Sequence, residues 1–134
     1  MTLPKRGTVG GAKSFEDLWI WQQSRLIVGK VYSDVGDNST AGRDFGFRGQ
    51  IQKAAVSIMN NIAEGFERTT GTEFARFLDI AKGSCGEVRS MYYLAEDLNY
   101  ISARIADERR CDCKRLAAGI SSLASHLRNT LRKV

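Results

Sequence analysis

A chain of 134 residues provides one domain with a single hydrophobic core. Its 20 lysines and arginines exceed its 15 aspartates and glutamates, and the formal charge of +5 favours anionic partners without identifying one. Three cysteines without a scaffold spacing argue against a secreted disulfide framework, and residues 1–14 hold no apolar run that would serve as a signal peptide or membrane span. We therefore expect a cytoplasmic protein.

In chain order, the first element is a predicted flexible tail, residues 1–14, which is rich in glycine and basic residues. The remaining residues, 15–134, form the predicted domain. Ser14-Phe15-Glu16-Asp17 predicts a helix start, because a serine oxygen accepts a free backbone N–H and carboxylates favour the positive helix end. This helix should run to about Val35 and be followed by a loop over residues 34–42. Its predicted apolar stripe is Leu18, Trp21, Val28, Tyr32 and Val35.

Three further helices follow. The second spans about residues 44–68, and Thr72 is the predicted N-cap of the third, which ends near Asn99. The fourth begins at Ile101-Ser102 and continues to the C-terminus. The apolar stripes are Phe47, Ile51, Ala54, Ala55, Ile58 and Ile62 in the second helix; Phe74, Phe77, Leu78, Ala81, Cys85, Val88, Tyr92 and Ala95 in the third; and Ile105, Leu116, Ile120, Leu123, Leu127 and Leu131 in the fourth.

Four amphipathic helices with short connections predict an all-α fold, an antiparallel up-down-up-down four-helix bundle. The apolar face of the fourth helix is thin over residues 106–115, where most residues are charged. We therefore expect this first half of the helix to project towards solvent or a partner.

Residues that carry catalysis or bind metals are scarce. His126 is the one histidine and has no glutamate three residues before it, which argues against a di-iron site and a histidine-based triad. Cys111 and Cys113 would point about 200° apart on a helix, so they are poorly placed to share a metal. The sequence predicts no catalytic residue, no metal site and no cofactor.

The second helix contains an unusual polar run, residues 60–65. Asn61, Glu64 and Gly65 weaken intrinsic helicity and therefore need another role. Gly65 would allow a neighbouring backbone to approach closely, while the polar side chains would hydrogen-bond across helices or subunits. Structural contact is the preferred interpretation, and ligand binding is the alternative.

Distinctive motifs occur in three separate helices. They are Phe15-Glu16-Asp17-Leu18 with Trp21-Gln22 in the first, residues 50–58 and 61–65 in the second, and residues 73–78 and 81–84 in the third. These motifs resemble those of the bacterial four-helix bundle proteins encoded by intervening sequences in 23S rRNA genes. The resemblance covers about residues 15–134. Met59 stands where many members have proline, which predicts a straighter second helix.

The resemblance implies a homopentameric ring of antiparallel bundles around a central channel. It also implies similarity to the accessory protein of diversity-generating retroelements, which binds nucleic acid. The first functional hypothesis is therefore an oligomer that binds RNA or DNA, mainly through phosphates and with little sequence readout. The candidate residues are Arg43, Arg48, Lys53, Lys82, Arg89, Arg104, Arg109, Arg110, Lys114 and Arg115.

The second hypothesis is a structural scaffold that docks a protein partner without binding nucleic acid. Trp19 and Trp21 cannot both face one seam, so we expect one of them to lie at a subunit interface, where large aromatics contribute strongly to association. An enzyme is the third and least supported class, because no paired acid and base groups are recognisable.

Overall fold

A computed structural model describes residues 11–132, with side chains described as far as residue 130. Over this range a 3-10 turn, Phe15–Asp17, precedes five α-helices: α1, Trp19–Asp34; α2, Thr40–Arg43; α3, Phe45–Phe66; α4, Gly71–Asp97; and α5, Ala103–Arg132. The four long helices form a bundle, which confirms the predicted fold class. None of the described helices combines the length and apolarity needed to cross a membrane.

The long helices pack in a closed square in which α1 contacts α3 and α5, and α4 contacts α3 and α5. Ion pairs fix the antiparallel direction of α4 and α5. Arg110, early in α5, lies 2.8 Å from Glu96 at the end of α4, and Arg128, late in α5, pairs with Asp79 near the start of α4. The helices α4 and α5 therefore run antiparallel.

The core confirms most of the predicted stripes. Every predicted stripe residue of α3 is buried, and in α4 only Phe77 is partly exposed. Leu116, Ile120 and Leu127 of α5 are buried, whereas the side chain of Leu131 lies outside the described residues. The periodicity of α3 and α4 was informative because both helices bury one continuous apolar face.

The predicted stripe of α1 is correct in part and rotated from the observed core face. Leu18 and Val35 are buried, and Trp21 and Val28 are partly buried against the core. Tyr32 is 47% exposed, and the core side is interrupted by a serine. The Ser24 hydroxyl donates to the carbonyl oxygen of Trp21 at 2.7 Å, which satisfies a polar group that is fully buried. The residues that α1 buries are Ile20, Ser24, Ile27 and Val31.

Two helix starts also differ from prediction. Thr70, not Thr72, caps α4, because its hydroxyl accepts the backbone N–H of Glu73 at 3.1 Å. Ser14 makes no side-chain cap; its carbonyl accepts the N–H of Asp17 in the separate 3-10 turn, and α1 begins only at Trp19. Both cases show that several candidate cap residues lay close together in the sequence.

The predicted loop over residues 34–42 contains most of the helical turn α2. Ser39 caps this turn by accepting the N–H of Gly42 at 2.9 Å. A Cβ atom at Gly42 would lie 2.0 Å from the carbonyl oxygen of Gly36, so the turn folds back closely on the end of α1. The connection is compact because two glycines meet there.

The first half of α5 does not project from the bundle, which corrects the prediction for residues 106–115. Ala106 and Cys113 are at most 1% exposed, and the side chains of Arg109 and Arg110 are 16% and 11% exposed. Each arginine is paired with a carboxylate on another helix. Charged residues can therefore occupy a packed face when their partners come from distant parts of the chain.

The first ten residues of the predicted tail, 1–14, lie outside the described residues. Ala12, inside the predicted tail, is 4% exposed and belongs to the core cluster. The folded part of the chain thus includes residues before the predicted domain boundary at residue 15.

Gly65 allows α3 and α4 to approach closely where the two helices meet. A Cβ atom there would lie 2.6 Å from Cβ of Phe77 and 2.9 Å from Cδ1 of Phe74. We expect Gly65→Ala to lower the free energy of unfolding by about 1–3 kcal/mol, as overpacked substitutions do. Urea denaturation measures this, with Gly83→Ala as the control, because a Cβ at Gly83 meets no atom within 4 Å. Equal or greater stability of the Gly65 variant would contradict the close approach.

Candidate functional site

The ten predicted cations fall into two groups. One group is paired with carboxylates: Arg48 with Asp37, Arg104 with Glu108, Arg109 with Asp34, and Arg110 with Glu96. The other group is exposed and makes no ion pair among the described residues. Its members are Arg43, Lys53, Lys82, Arg89, Lys114 and Arg115.

Arg109 belongs to a hydrogen-bond network at Asp34, the last residue of α1. Its Nε and Nη2 atoms donate to both carboxylate oxygens of Asp34, at 2.8 and 3.1 Å, and the Tyr92 hydroxyl donates to Oδ2 of Asp34 at 2.7 Å. Burial and the Asp34 hydrogen bond raise the pKa of Tyr92 far above its usual value, and the same carboxylate raises the pKa of Arg109. These groups are occupied with one another, so Arg109 is not free to bind a phosphate.

Arg110 is similarly occupied. Its guanidinium carbon lies 4.1 Å from the centroid of the Tyr93 ring, and the group also donates to the carbonyl oxygen of Tyr92 at 3.3 Å. With its ion pair to Glu96, this arginine joins α5 to the last turns of α4. It marks one end of a long contact between the two helices.

We call this contact the α4–α5 seam. On α4 it carries residues spaced alternately three and four apart, which share one helix face. On α5 it carries the residues that lie opposite in the antiparallel register. The seam residues are Asp79, Lys82, Gly86, Arg89, Tyr93 and Glu96 of α4, with Arg110, Lys114, Ala117, Ser121 and Arg128 of α5.

Three of the unpaired cations lie along this seam. Lys82 and Arg89 are seven residues apart on α4, about 10 Å along the helix axis, and the register of the two ion pairs places Lys114 of α5 at about the level of Tyr93, one turn beyond Arg89. Ion pairs at the two ends neutralise Asp79 and Glu96, and no acidic residue occupies a seam position between them. The middle of the seam therefore presents positive charge alone.

The seam also has little relief between these cations. Gly86, which lies between Lys82 and Arg89 on the seam, is exposed, and a Cβ atom there would have no neighbouring atom within 4 Å. A second molecule can therefore approach the α4 backbone closely there.

The three cysteines differ in burial, because Cys85 and Cys113 are buried and Cys111 is not. Burial raises the pKa of the Cys85 thiol and of the Cys113 thiol to about 12, and the charge of Arg89 opposes the shift at Cys113. Cys111 is exposed instead. The described residues contain no group of three or more His, Cys, Asp or Glu side chains arranged to hold a metal ion.

Trp19 and Trp21 have different environments. The Trp21 ring contacts Phe15 edge-on at 5.1 Å and lies beneath Arg25, whereas Trp19 is 45% exposed beside Leu26, which is 56% exposed. Trp19 packs across α5 at Gly119, where a Cβ atom would lie 2.8 Å from the ring. We call this region, with Leu123, the α1–α5 surface.

The polar run of α3 makes contacts within the bundle. Asn61 donates to the carbonyl and the hydroxyl oxygen of Ser57, at 2.8 and 3.0 Å, and the Ser57 and Ser84 hydroxyls hydrogen-bond between α3 and α4 at 2.9 Å. Glu64 pairs with Arg68 one turn later at 3.0 Å. Asn61 and Glu64 therefore bond to residues four positions away in the sequence and not across helices as predicted, whereas Gly65 lies in close contact with α4.

A cleft at the α3–α4 turn was missed at the sequence level. It is lined by Arg68, Glu73, Arg76, Phe77 and Ile80 and has a volume of about 250 Å³. Arg76-Phe77, followed three residues later by Ile80, was the available signal, because a basic and an aromatic residue adjoin near one helix end. Arg68 is too far away in the sequence to be linked to that pair without the fold.

A comparison with known protein families identifies a match that covers most of the described helices. A family model described as 23S rRNA-intervening sequence protein matches residues 16–122, from the 3-10 turn through most of α5. No curated protein matches the chain. Because the family match covers well over half of the sequence, this chain belongs to the 23S rRNA-intervening sequence protein family.

Proposed function

We propose that the protein is a non-enzymatic nucleic-acid-binding protein that contacts phosphates along the α4–α5 seam. The observation that supports the proposal is the set of three unpaired cations, Lys82, Arg89 and Lys114, on a face without a free carboxylate. Phosphate contacts of this kind release counterions and give affinity with little sequence readout. RNA and DNA both present the required charge.

Helix geometry favours contact with a phosphate backbone. The cations lie on two helices, and the exposed Gly86 between Lys82 and Arg89 allows close approach. The remaining unpaired cations, including Arg115 on α5, add to the general positive field of the chain. We place this activity in the cytoplasm, because the three cysteines are free thiols, as is usual in a reducing compartment.

We further propose that the protein self-associates through the α1–α5 surface, in the pentameric ring that the family resemblance implies. Trp19 and Leu26 expose large apolar side chains there, and aromatic residues at interface centres contribute strongly to binding. Five copies of a chain with a formal charge of +5 carry +25, which strengthens attraction to a polyanion.

Trp19→Ala should therefore shift the protein towards smaller species, with a loss of at least about tenfold in the association constant, as expected for an interface anchor. Sedimentation velocity across a concentration series measures the change. Phe45→Ala is the matched control, because Phe45 is 77% exposed but lies on α3, away from this surface. An unchanged distribution for the Trp19 variant would remove the α1–α5 surface as the interface.

Fluorescence anisotropy with labelled RNA hairpins and duplex DNA, at about 50 and 200 mM salt, tests nucleic-acid binding. We expect binding to both polymers at the lower salt and a steep loss at the higher. Failure to bind either polymer at 50 mM salt would refute the proposal. The α1–α5 surface would then favour the alternative, a scaffold that docks a protein partner, for which association should depend little on salt.

A further inference from the structure

The cleft at the α3–α4 turn differs from the α4–α5 seam in place and in chemistry. Asp79 of the seam and Ile80 of the cleft are consecutive on α4, so their side chains point about 100° apart. The seam offers cations on a shallow surface. The cleft combines two guanidinium groups, an aromatic ring and one carboxylate around a half-open space, which suits a small planar and charged group.

A flat stacking platform lies at one side of the cleft. The guanidinium carbon of Arg68 lies 4.7 Å from the centroid of the Phe77 ring, and Glu64 holds the same guanidinium at 3.0 Å. Both contacts favour an orientation of the arginine against the ring. Ile80, 53% exposed, extends the apolar part of the lining. Nucleobases stack on arginine planes and aromatic rings in this way when they are not paired.

Arg76 supplies the charge that a nucleotide needs. It is exposed, lines the same cleft, and makes no ion pair among the residues that the structure describes. Its guanidinium fork is suited to bidentate contact with a phosphate. Arg68, in contrast, already has a carboxylate partner, so the two arginines offer different chemistry: one a stacking plane and one a free cation.

Glu73 is the carboxylate in the lining, and a carboxylate can accept hydrogen bonds from the amino group of a base. Adenine, cytosine and guanine carry such groups, whereas uracil and thymine do not. The volume, about 250 Å³, is just below the roughly 300 Å³ at which sites for drug-sized ligands begin. One base fits this space better than a stacked pair.

We infer that this cleft binds one unpaired nucleotide of a nucleic-acid strand, with the base on the Arg68–Phe77 platform and the phosphate at Arg76. The inference rests on the proposed nucleic-acid function and adds a substrate class to it. The seam accepts any phosphate backbone, while the cleft requires a base that has left its duplex. The protein then prefers strands with a loop or single-stranded end to blunt duplexes.

The test compares a single-stranded 12-mer, as RNA and as DNA, with a blunt duplex of the same length. Phe77→Leu should weaken single-strand binding about tenfold, the effect expected from losing one stacked base. Arg76→Gln should weaken it by about as much, because the charge-assisted contact with the phosphate is lost. Each should change duplex binding less than about threefold. Arg25→Gln and Lys53→Gln are the charge-matched controls on other helices. The protein should bind poly(A) more tightly than poly(U), because adenine has an amino group that Glu73 can bind. Glu73→Gln should reduce this difference in affinity, because the acceptor loses its charge.

The outcomes separate the two proposals. Failure of the unaltered protein to bind any polymer at low salt refutes both. If the unaltered protein binds but the variants lose equal affinity for single strand and duplex, the cleft proposal alone is refuted. The same holds if Arg76→Gln loses no affinity for the single strand. Arg76 is exposed, so its variant is informative even if Phe77→Leu unfolds, which thermal melting detects. Titration with AMP and UMP distinguishes a strand from a free nucleotide as the ligand. If AMP binds as tightly as the 12-mer, the ligand of the cleft is a free nucleotide and the proposal of a strand is refuted.

Discussion

Replacing Lys82, Arg89 and Lys114 together with glutamine should remove about three phosphate contacts and flatten the salt dependence of nucleic-acid binding. Each phosphate contact adds about 0.9 to the slope of log affinity against log salt, so the three contribute about 2.7. Between about 50 and 200 mM salt this slope corresponds to roughly 40-fold in affinity. Duplex DNA titrations at several salt concentrations give the slope directly.

The matched control replaces Arg25, Arg43 and Lys53 with glutamine. It removes the same charge from α1, α2 and α3, which lie outside the seam. We expect its slope to change by less than about one unit, because these cations share no face that a single duplex can follow. Equal flattening by the two triple variants would mean that binding depends on net charge, and would contradict a role for the seam.

Asp34→Ala should lower the free energy of unfolding by about 1–3 kcal/mol, since removing the carboxylate of a largely buried ion pair leaves its hydrogen-bonding partners unsatisfied. Arg109 is 16% exposed at its side chain and would lose both hydrogen bonds to the carboxylate. Tyr92, buried beside it, would lose its acceptor. Urea denaturation, monitored by circular dichroism, measures the change. The dependence of the unfolding free energy on urea concentration should have the same slope in both proteins, as two-state unfolding requires.

Asp79→Ala is the control for this effect. It also breaks a two-bond contact between an arginine and a carboxylate, but the side chains of Arg128 and Asp79 are 43% and 55% exposed. Exposed pairs contribute about 0–1 kcal/mol. If both substitutions cost the same, burial does not explain the strength of the Asp34 network.

The sequence predicted the fold well where one helix buries one apolar stripe. In α3 and α4 the large side chains themselves mark the core face. In α1 the core face includes Ser24, whereas Tyr32 is exposed, so hydrophobicity alone gives the wrong rotation. A buried serine that hydrogen-bonds its own helix has no signature in a hydrophobic pattern.

The error in α5 has a different cause. The charges of residues 106–115 suggested a solvated segment, yet Arg109 pairs with Asp34 across 75 positions of sequence and Arg110 stacks on Tyr93 of α4. Partners so distant become neighbours only when the bundle closes. The same limitation applies to the candidate cations, because the sequence cannot separate Arg109, which is occupied, from Lys114, which is unpaired.

The α4–α5 seam joins two helices that follow one another in the chain, and the turn between them includes Asn99. Asn99 has φ of 58°, a left-handed conformation that asparagine adopts more readily than most residues. Contacts between consecutive helices are local in sequence, and local contacts form fastest during folding. We therefore expect the hairpin of α4 and α5 to form before α1 docks. A chain that is still folding then already exposes the cations of the α4–α5 seam to polyanions.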